Sequence, residues 1–270
     1  CVVRGLHMAR VNNVVIGRDG WLYFAGNDEL EDYQRTRQFT PQQLERILST
    51  QLARQRCLAE RGISYYLMLA PNKSTVYPEN MPRNLQRLPG PSRMTQLSRY
   101  LAANSSIPIV NVEELLCTAR QDRLTYLLTD THWNEYGAFL AHQTLMRRIA
   151  CDMTNIAVLP LEACTVREKA RDGADLAFML GLHDLYRDTN VTVTPLVPFP
   201  VTNAPIPYAA PRDYVPSATH CRTPGLPRAL IFRDSFGNRL LPFLAPYFAR
   251  CVSVWTYDFD LALIETEQPD

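Results

Sequence analysis

Two short segments of this 270-residue chain hold the residue types that together make a hydroxyl nucleophilic. In Ala229-Leu-Ile-Phe-Arg-Asp-Ser-Phe-Gly-Asn238 an apolar strand runs straight into a turn and then a helix, which sets Ser235 at a helix N-terminus. Backbone N–H groups at such a position can stabilise an oxyanion, and Gly237 lets the turn close tightly. In Leu127-Leu-Thr-Asp-Thr-His-Trp-Asn134 a second apolar run leads into an Asp-x-His loop. A serine hydroxyl is a poor nucleophile until a base, held in one tautomer by a carboxylate, takes its proton. Asp130 and His132 are two apart, so an extended loop points both side chains to one side. Each segment alone has a plainer reading: Asp234 or Ser235 as a helix cap, and Asn134 capping the helix after a structural Asp-x-His. Together they supply a nucleophile (Ser235), a base (His132) and a group that orients it (Asp130).

The remaining histidines lack such support. His142 falls inside a helical pattern, and His7, His183 and His220 lie in irregular segments. Seven cysteines (1, 57, 117, 151, 164, 221 and 251) include no Cys-x-x-Cys pair, so a zinc site is not expected. Export would allow one disulfide among Cys151, Cys164 and Cys221, with no pairing readable from spacing. There is no His-Glu-x-x-His, Walker loop or Gly-x-Gly-x-x-Gly, which removes zincins, P-loop enzymes and dinucleotide binders; no metal or cofactor is expected. Charges nearly balance, 28 basic against 27 acidic, which argues against a nucleic-acid binder. No apolar run is long enough to span a membrane.

The elements that must position these residues alternate between strand and helix. Val14-Val-Ile16 and Trp21-Leu-Tyr-Phe24 flank Gly17-Arg-Asp-Gly20, a hairpin signal. Thr40, Pro41 and Gly62 bracket a helix in which Leu44, Ile47, Leu48, Leu52 and Leu58 recur at helical spacing. Ile63 to Ala70 is a continuously apolar run, as expected for a strand buried on both faces. A helix is expected over 92–103, a strand over 107–110, a short helix over 112–119, an apolar strand over 124–128 and a helix over 134–150. The pattern decays over 151–228, which is expected to be an irregular insertion in one domain spanning 1–270. A strand, a helix with Pro242 inside it, and a strand over 251–256 follow, and the last residues are expected to lead into another strand. The fold class predicted is α/β, a three-layer α/β/α parallel sheet, which binds ligands beyond the carboxyl ends of its strands.

Four motifs occur in order: Gly17-Arg-Asp-Gly-Trp-Leu-Tyr-Phe24, Ala70-Pro-Asn-Lys-Ser-Thr-Val-Tyr-Pro-Glu79, Thr129-Asp-Thr-His-Trp-Asn134 and Phe232-Arg-Asp-Ser-Phe-Gly237. The set resembles the SGNH hydrolase-like domain of alginate O-acetyltransferases, the AlgX/AlgJ type. The resemblance implies a flavodoxin-like SGNH fold and a periplasmic enzyme that acetylates hydroxyls of an exported polysaccharide. It implies an acetyl donor supplied by a membrane-bound O-acyltransferase. Asp130, His132 and Ser235 follow the order in which that family places its catalytic residues. Asp172-Gly-Ala-Asp-Leu-Ala-Phe-Met-Leu-Gly181 is similar to a Gly-Asp-Leu segment of the family with Ala174 as an extra residue, which leaves Asp175 without an assigned role. The family's further strand after the closing Pro-Asp is not in this sequence, so truncation at the C-terminus is expected. A signal or anchor ahead of Cys1 stays open. Asn72, Lys73, Trp133 and Arg233 lie beside the proposed site as candidate substrate contacts, Lys73 for an anionic group and Trp133 for a sugar ring. An esterase, or a non-catalytic glycan-binding assembly subunit of the same fold, are the alternatives.

Overall fold

The computed structural model describes residues 10–153, 156–208 and 216–270. Cys1 and His7 lie outside the described residues. The chain opens on a small antiparallel meander, β1 (Arg10–Val11), β2 (Val14–Ile16) and β3 (Leu22–Phe24), with Val14 opposite Phe24. The Asp-Gly turn works as expected: Asp19 and Gly20 both have positive φ, 54° and 82°. A short helix, α1 (Glu29–Gln34), precedes α2 (Pro41–Ala59). Thr40 and Gln43 form a reciprocal capping box at the start of α2, and such a cap contributes about 1 kcal/mol. Gly62, at φ 72°, supplies the left-handed exit.

The apolar run that follows makes a strand of only three residues, β4 (Leu67–Leu69). Then come α3 (Lys73–Val76), α4 (Arg93–Asn104), β5 (Ile109–Asn111) and α5 (Glu113–Ala119). β4 pairs in parallel with β5, whose three residues limit the ladder to Leu67↔Ile109 through Leu69↔Asn111. The run over 124–128 is not a strand; it makes a single bridge, Tyr126 to Trp133, which closes the loop that carries Asp130 and His132. Asn134 caps the next helix, α6 (Glu135–Ala150), by accepting from the Gly137 N–H at 2.9 Å.

The segment expected to be irregular is largely ordered. β6 (Cys164–Asp172) and β7 (Arg187–Pro195) form a nine-rung antiparallel ribbon that brackets α7 (Asp175–Met179). Its first strand carries charged residues on exposed positions of both faces, so it shows no buried period in sequence. β8 (Val201–Asn203), β9 (Pro216–Cys221), β10 (Arg228–Arg233) and β11 (Arg250–Trp255) make a second sheet in the order β10-β11-β9-β8. Only β10 and β11 are parallel in it. Between them lies α8 (Gly237–Leu244), which contains Pro242 and tightens into a 3₁₀ turn at Ala245–Tyr247. The last residues form a helix rather than a strand approach: α9 (Leu261–Glu267), capped by Asp260, whose side chain accepts from the Leu263 N–H.

In place of one continuous three-layer parallel sheet, the described residues form small separate sheets. Two parallel pairs, β4–β5 and β10–β11, face each other across a slot of about 450 Å³ lined by Met68, Ala70, Leu230, Phe232, Phe259 and Ile264 among others. At one end Asp270 spans both edges: its carbonyl accepts from Ser64 N–H, and its N–H donates to Arg228 O. The main core lies under α6, where Phe139, Ala141, Met146 and the Trp133 ring are almost wholly buried. Six cysteines are free thiols, so Cys151, Cys164 and Cys221 form no disulfide among the described residues. No described helix is long and apolar enough to cross a membrane.

Candidate active site

Ser235 and His132 come together although 103 positions separate them. The β10 strand delivers Ser235 to the turn before α8, where Asp234 Oδ1 accepts from the Phe236 N–H (2.9 Å) and fixes the bend. At Gly237 a Cβ would lie 2.6 Å from Arg233 Cδ, so a glycine lets the strand's last side chain pass beneath the turn. His132 Nε2 is 2.7 Å from Ser235 Oγ, and its Nδ1 is 2.7 Å from Asp130 Oδ1. An ionised carboxylate only accepts, so the imidazole proton belongs on Nδ1 and Nε2 is left to accept from the serine hydroxyl. The same Oδ1 also accepts from the His132 backbone N–H at 3.0 Å, which holds the loop in register with its own side chain.

Asp130 is buried, and burial alone would raise its pKa. The hydrogen bond from His132 and the Arg239 guanidinium outweigh that and hold the carboxyl well below the usual carboxylate range. Arg239 donates to Asp130 Oδ2 (2.8 Å) and to the Trp133 carbonyl (2.9 Å), tying α8 to the loop. A second carboxylate, Asp175 at the start of α7, accepts from the Thr131 N–H at 2.8 Å and lies 3.7 Å from His132 Nδ1. Burial and the neighbouring Asp130 charge push its pKa up. Single atoms of Asp130, His132 and Asp175 lie within 4.8 Å of one another, close enough for a cation. The Arg239 charge on Asp130 and the Thr131 bond to Asp175 already occupy those carboxylates, so the set reads as a hydrogen-bonded network.

Beneath the loop a second tier of polar groups sets its shape. Asp188, from β7, is buried and accepts from the Leu128 N–H, the Thr129 N–H and the Thr129 hydroxyl. Lys73 approaches from the end of β4. Its ammonium donates to the carbonyls of Leu127 (3.0 Å), Leu128 (2.8 Å) and Asp130 (2.5 Å). All three ammonium protons are thereby used.

Two sequence expectations are corrected by this geometry. Lys73 is 3% exposed and spends its donors on backbone, so it does not reach a substrate. Trp133 is 1% exposed, and its indole N–H donates to Phe236 O (3.1 Å) inside the core, so it offers no face to a sugar. Asn72 and Arg233 stay half-buried. Asn72 leaves its side chain out of the α3 cap, while the Arg233 guanidinium lies over the Trp255 ring (5.2 Å) and donates to Asp234 O. Sequence reasoning missed Arg239 and Asp188. Arg239 carried one usable signal, since it stands in the first turn of the helix that follows Ser235.

The fold is shared with solved structures. Bacillus cereus PatB1 matches with TM-score 0.63 at 16% identity, over 93% of this chain and 91% of that one. The O-acetyltransferase domain of Pseudomonas putida AlgJ matches with TM-score 0.53 at 20% identity, over 87% of this chain and 74% of that one. Residues 14–204 match the family described as "SGNH hydrolase-like domain, acetyltransferase AlgX", and the chain belongs to that family. The matched stretch contains Lys73, Asp130, His132 and Asp175 and ends before Ser235. The probable alginate O-acetylase AlgJ of Pseudomonas aeruginosa is 31% identical over 185 residues, 64% of this chain and 42% of that protein. The chain thus spans less than half the length of that relative.

Proposed function

We propose that this chain moves an acetyl group from an ester donor to a hydroxyl of an exported, alginate-like polysaccharide through an acetyl-serine on Ser235. The observation that carries the reading is the unbroken hydrogen-bond chain from Asp130 through His132 to Ser235, 2.7 Å at each link. In the first half-reaction Ser235 Oγ bonds to the acetyl carbon as His132 Nε2 takes its proton. The carbonyl electron pair moves onto oxygen, and that charge develops beside the positive N-terminal end of α8. Collapse expels the donor's alcohol, which leaves with the proton from the imidazolium. In the second half a sugar hydroxyl gives its proton to Nε2 and attacks the acetyl carbon; collapse returns Ser235 with that proton. Asp130 stabilises the imidazolium in both halves, and Arg239 keeps Asp130 ionised and in place.

Membership of the acetyltransferase family supports the reaction class, and relatives named as probable alginate O-acetylases support an acidic polysaccharide as acceptor. The same relationship supports a periplasmic location, with a membrane-bound O-acyltransferase as the source of acetyl. Incubation with a chromogenic acetyl ester and uronic-acid oligosaccharides, followed by mass spectrometry of protein and sugar, tests the reading. Acetylated sugar and an acetyl adduct on the Ser235 peptide are expected from the natural sequence, and neither from Ser235→Ala. A folded Ser235→Ala protein with undiminished turnover would remove Ser235 from the reaction. Free acetate as the only product, with acidic and neutral oligosaccharides alike, would make the chain an esterase.

A further inference from the structure

Because Trp133 and Lys73 are sealed in the core, contacts to an acceptor sugar beyond Asn72 and Arg233 come from other surfaces. One adjoins His132. α7 begins with Asp175, which lies 3.7 Å from His132 Nδ1, and three residues on Phe178 falls on the same side of that helix. Phe178 is 58% exposed, an unusual placement for a large aromatic ring. Its ring lies flat on the His183 imidazole, with centroids 4.2 Å apart and planes 12° apart, so the pair forms a rigid platform.

Beside the platform runs a groove of about 400 Å³ whose lining includes Lys169, Arg171, Asp172, Gly173, Phe178 and His183. Lys169 and Arg171 are two apart on β6, so both side chains leave the same face of the ribbon. Neither has an ion-pair partner among the described residues, whereas the nearby Asp172 is paired with Arg187 (2.8 Å) and Asp184 lies against the His183 ring nitrogen (3.0 Å). At Gly173 a Cβ would sit 2.6 Å from the Ala177 Cβ, so glycine is what lets the end of β6 close against α7 and join groove to platform. An aromatic face flanked by two uncompensated cations suits a ligand with an apolar C–H face and a carboxylate.

We infer that this groove binds a uronate residue of the acceptor, with the sugar's C–H face on Phe178 and its carboxylate between Lys169 and Arg171. Three residues, about 4.5 Å of helical rise, separate Phe178 from Asp175 along α7, comparable to the length of one sugar unit. The groove therefore holds a sugar near the one being acetylated and sets the preference for an acidic chain. The inference rests on the polysaccharide acceptor proposed above.

Calorimetric titration of the natural chain with a uronic-acid tetrasaccharide and with a neutral β-1,4-glucose tetrasaccharide tests it. At low ionic strength the acidic tetramer is expected to bind at least about tenfold more tightly, with the advantage shrinking as salt is added. Lys169→Glu with Arg171→Glu is expected to weaken binding of the acidic tetramer by about tenfold or more, and Phe178→Ala to weaken both tetramers. Far-UV circular dichroism would verify that the variants fold. Equal affinity for the two tetramers, no binding of either at millimolar concentration, or a folded double variant that keeps its affinity would each overturn the groove. Binding is read without turnover. A failed groove leaves the Ser235 reading intact, and a failed Ser235 reading leaves a measured groove intact.

Discussion

At the residue scale, the site depends on one imidazole held between a donor and an acceptor. If Asp130 fixes the tautomer, Asp130→Asn should reverse the preferred proton position and lower kcat by about 10³ to 10⁴, with KM little changed. A loss under about tenfold in steady-state assays would send the orienting role elsewhere, Asp175 being the nearest candidate. Because the folded state holds the Asp130 pKa below its ordinary value, its contribution is present above the unfolded carboxylate pKa and is lost only as the pH falls through the folded value. The carboxylate is therefore charged wherever His132 can work as a base. Lys73 acts on the same loop through backbone. Lys73→Met keeps the stem and removes the three donors, so the loop is free to drift; misplacement on the ångström scale should lower kcat by roughly 10- to 100-fold. A raised KM alone, with kcat preserved, would restore Lys73 as a substrate contact. Residue types and motif order made Ser235, His132 and Asp130 legible in the sequence. The directions of Lys73 and Trp133 were not, because a position just past a strand end is compatible with a side chain that points up to the site or down into the core.

At the element scale, caps and turn residues were readable because they act locally. Thr40 and Asn134 each start a helix where their side chains predict it. β6 was unreadable because a strand with charged residues on both faces buries no regular stripe, although its partner β7 buries Val191 and Val193 in alternation. His142 shows how α6 is fastened to the turn after α8. Its Nδ1 lies 2.8 Å from Phe139 O and its Nε2 3.1 Å from the Tyr247 hydroxyl, an arrangement that a neutral imidazole satisfies at both nitrogens. Burial pushes its pKa down to about 4. The unfolded chain takes up this proton near pH 6.5 and the folded chain only near 4, so the contribution is present above about 6.5 and is lost as the pH falls toward 4. The full span amounts to about 3 kcal/mol. Urea unfolding at pH 7 and at pH 4.5 should show this loss in the natural chain and a much flatter profile in His142→Gln. Parallel profiles for the two proteins would show that other groups set the acid limb.

At the scale of the whole molecule, the alternation of strands and helices predicted the α/β class, while the single continuous parallel sheet expected from it is replaced by small mixed sheets. A continuous apolar run such as Ile63 to Ala70 predicts burial on both faces but not hydrogen bonding on both edges, because edge pairing depends on neighbours distant in sequence. β11 is paired on both sides, by β10 and by β9, whereas β4 has only β5 among the described residues. Its other edge looks into the slot shared with β10, where apolar side chains stand apart rather than interlocked. Amides open to exchange in proportion to how little packing and pairing must be lost, so protection should be uneven across the two parallel pairs. Hydrogen–deuterium exchange read by mass spectrometry is expected to place the β11 peptides among the slowest. Peptides covering β4 should exchange at least about tenfold faster, and those covering β10 in between. The site loop takes its support from both sides of the slot, Lys73 after β4 and Arg239 on α8 after β10, so opening there should loosen Asp130 and His132 as well. Peptides over 127–134 are accordingly expected to exchange with β4 rather than with β11. If β4 proved as protected as β11, the two edges would have to be joined in solution, and the slot would not be an open feature of the fold.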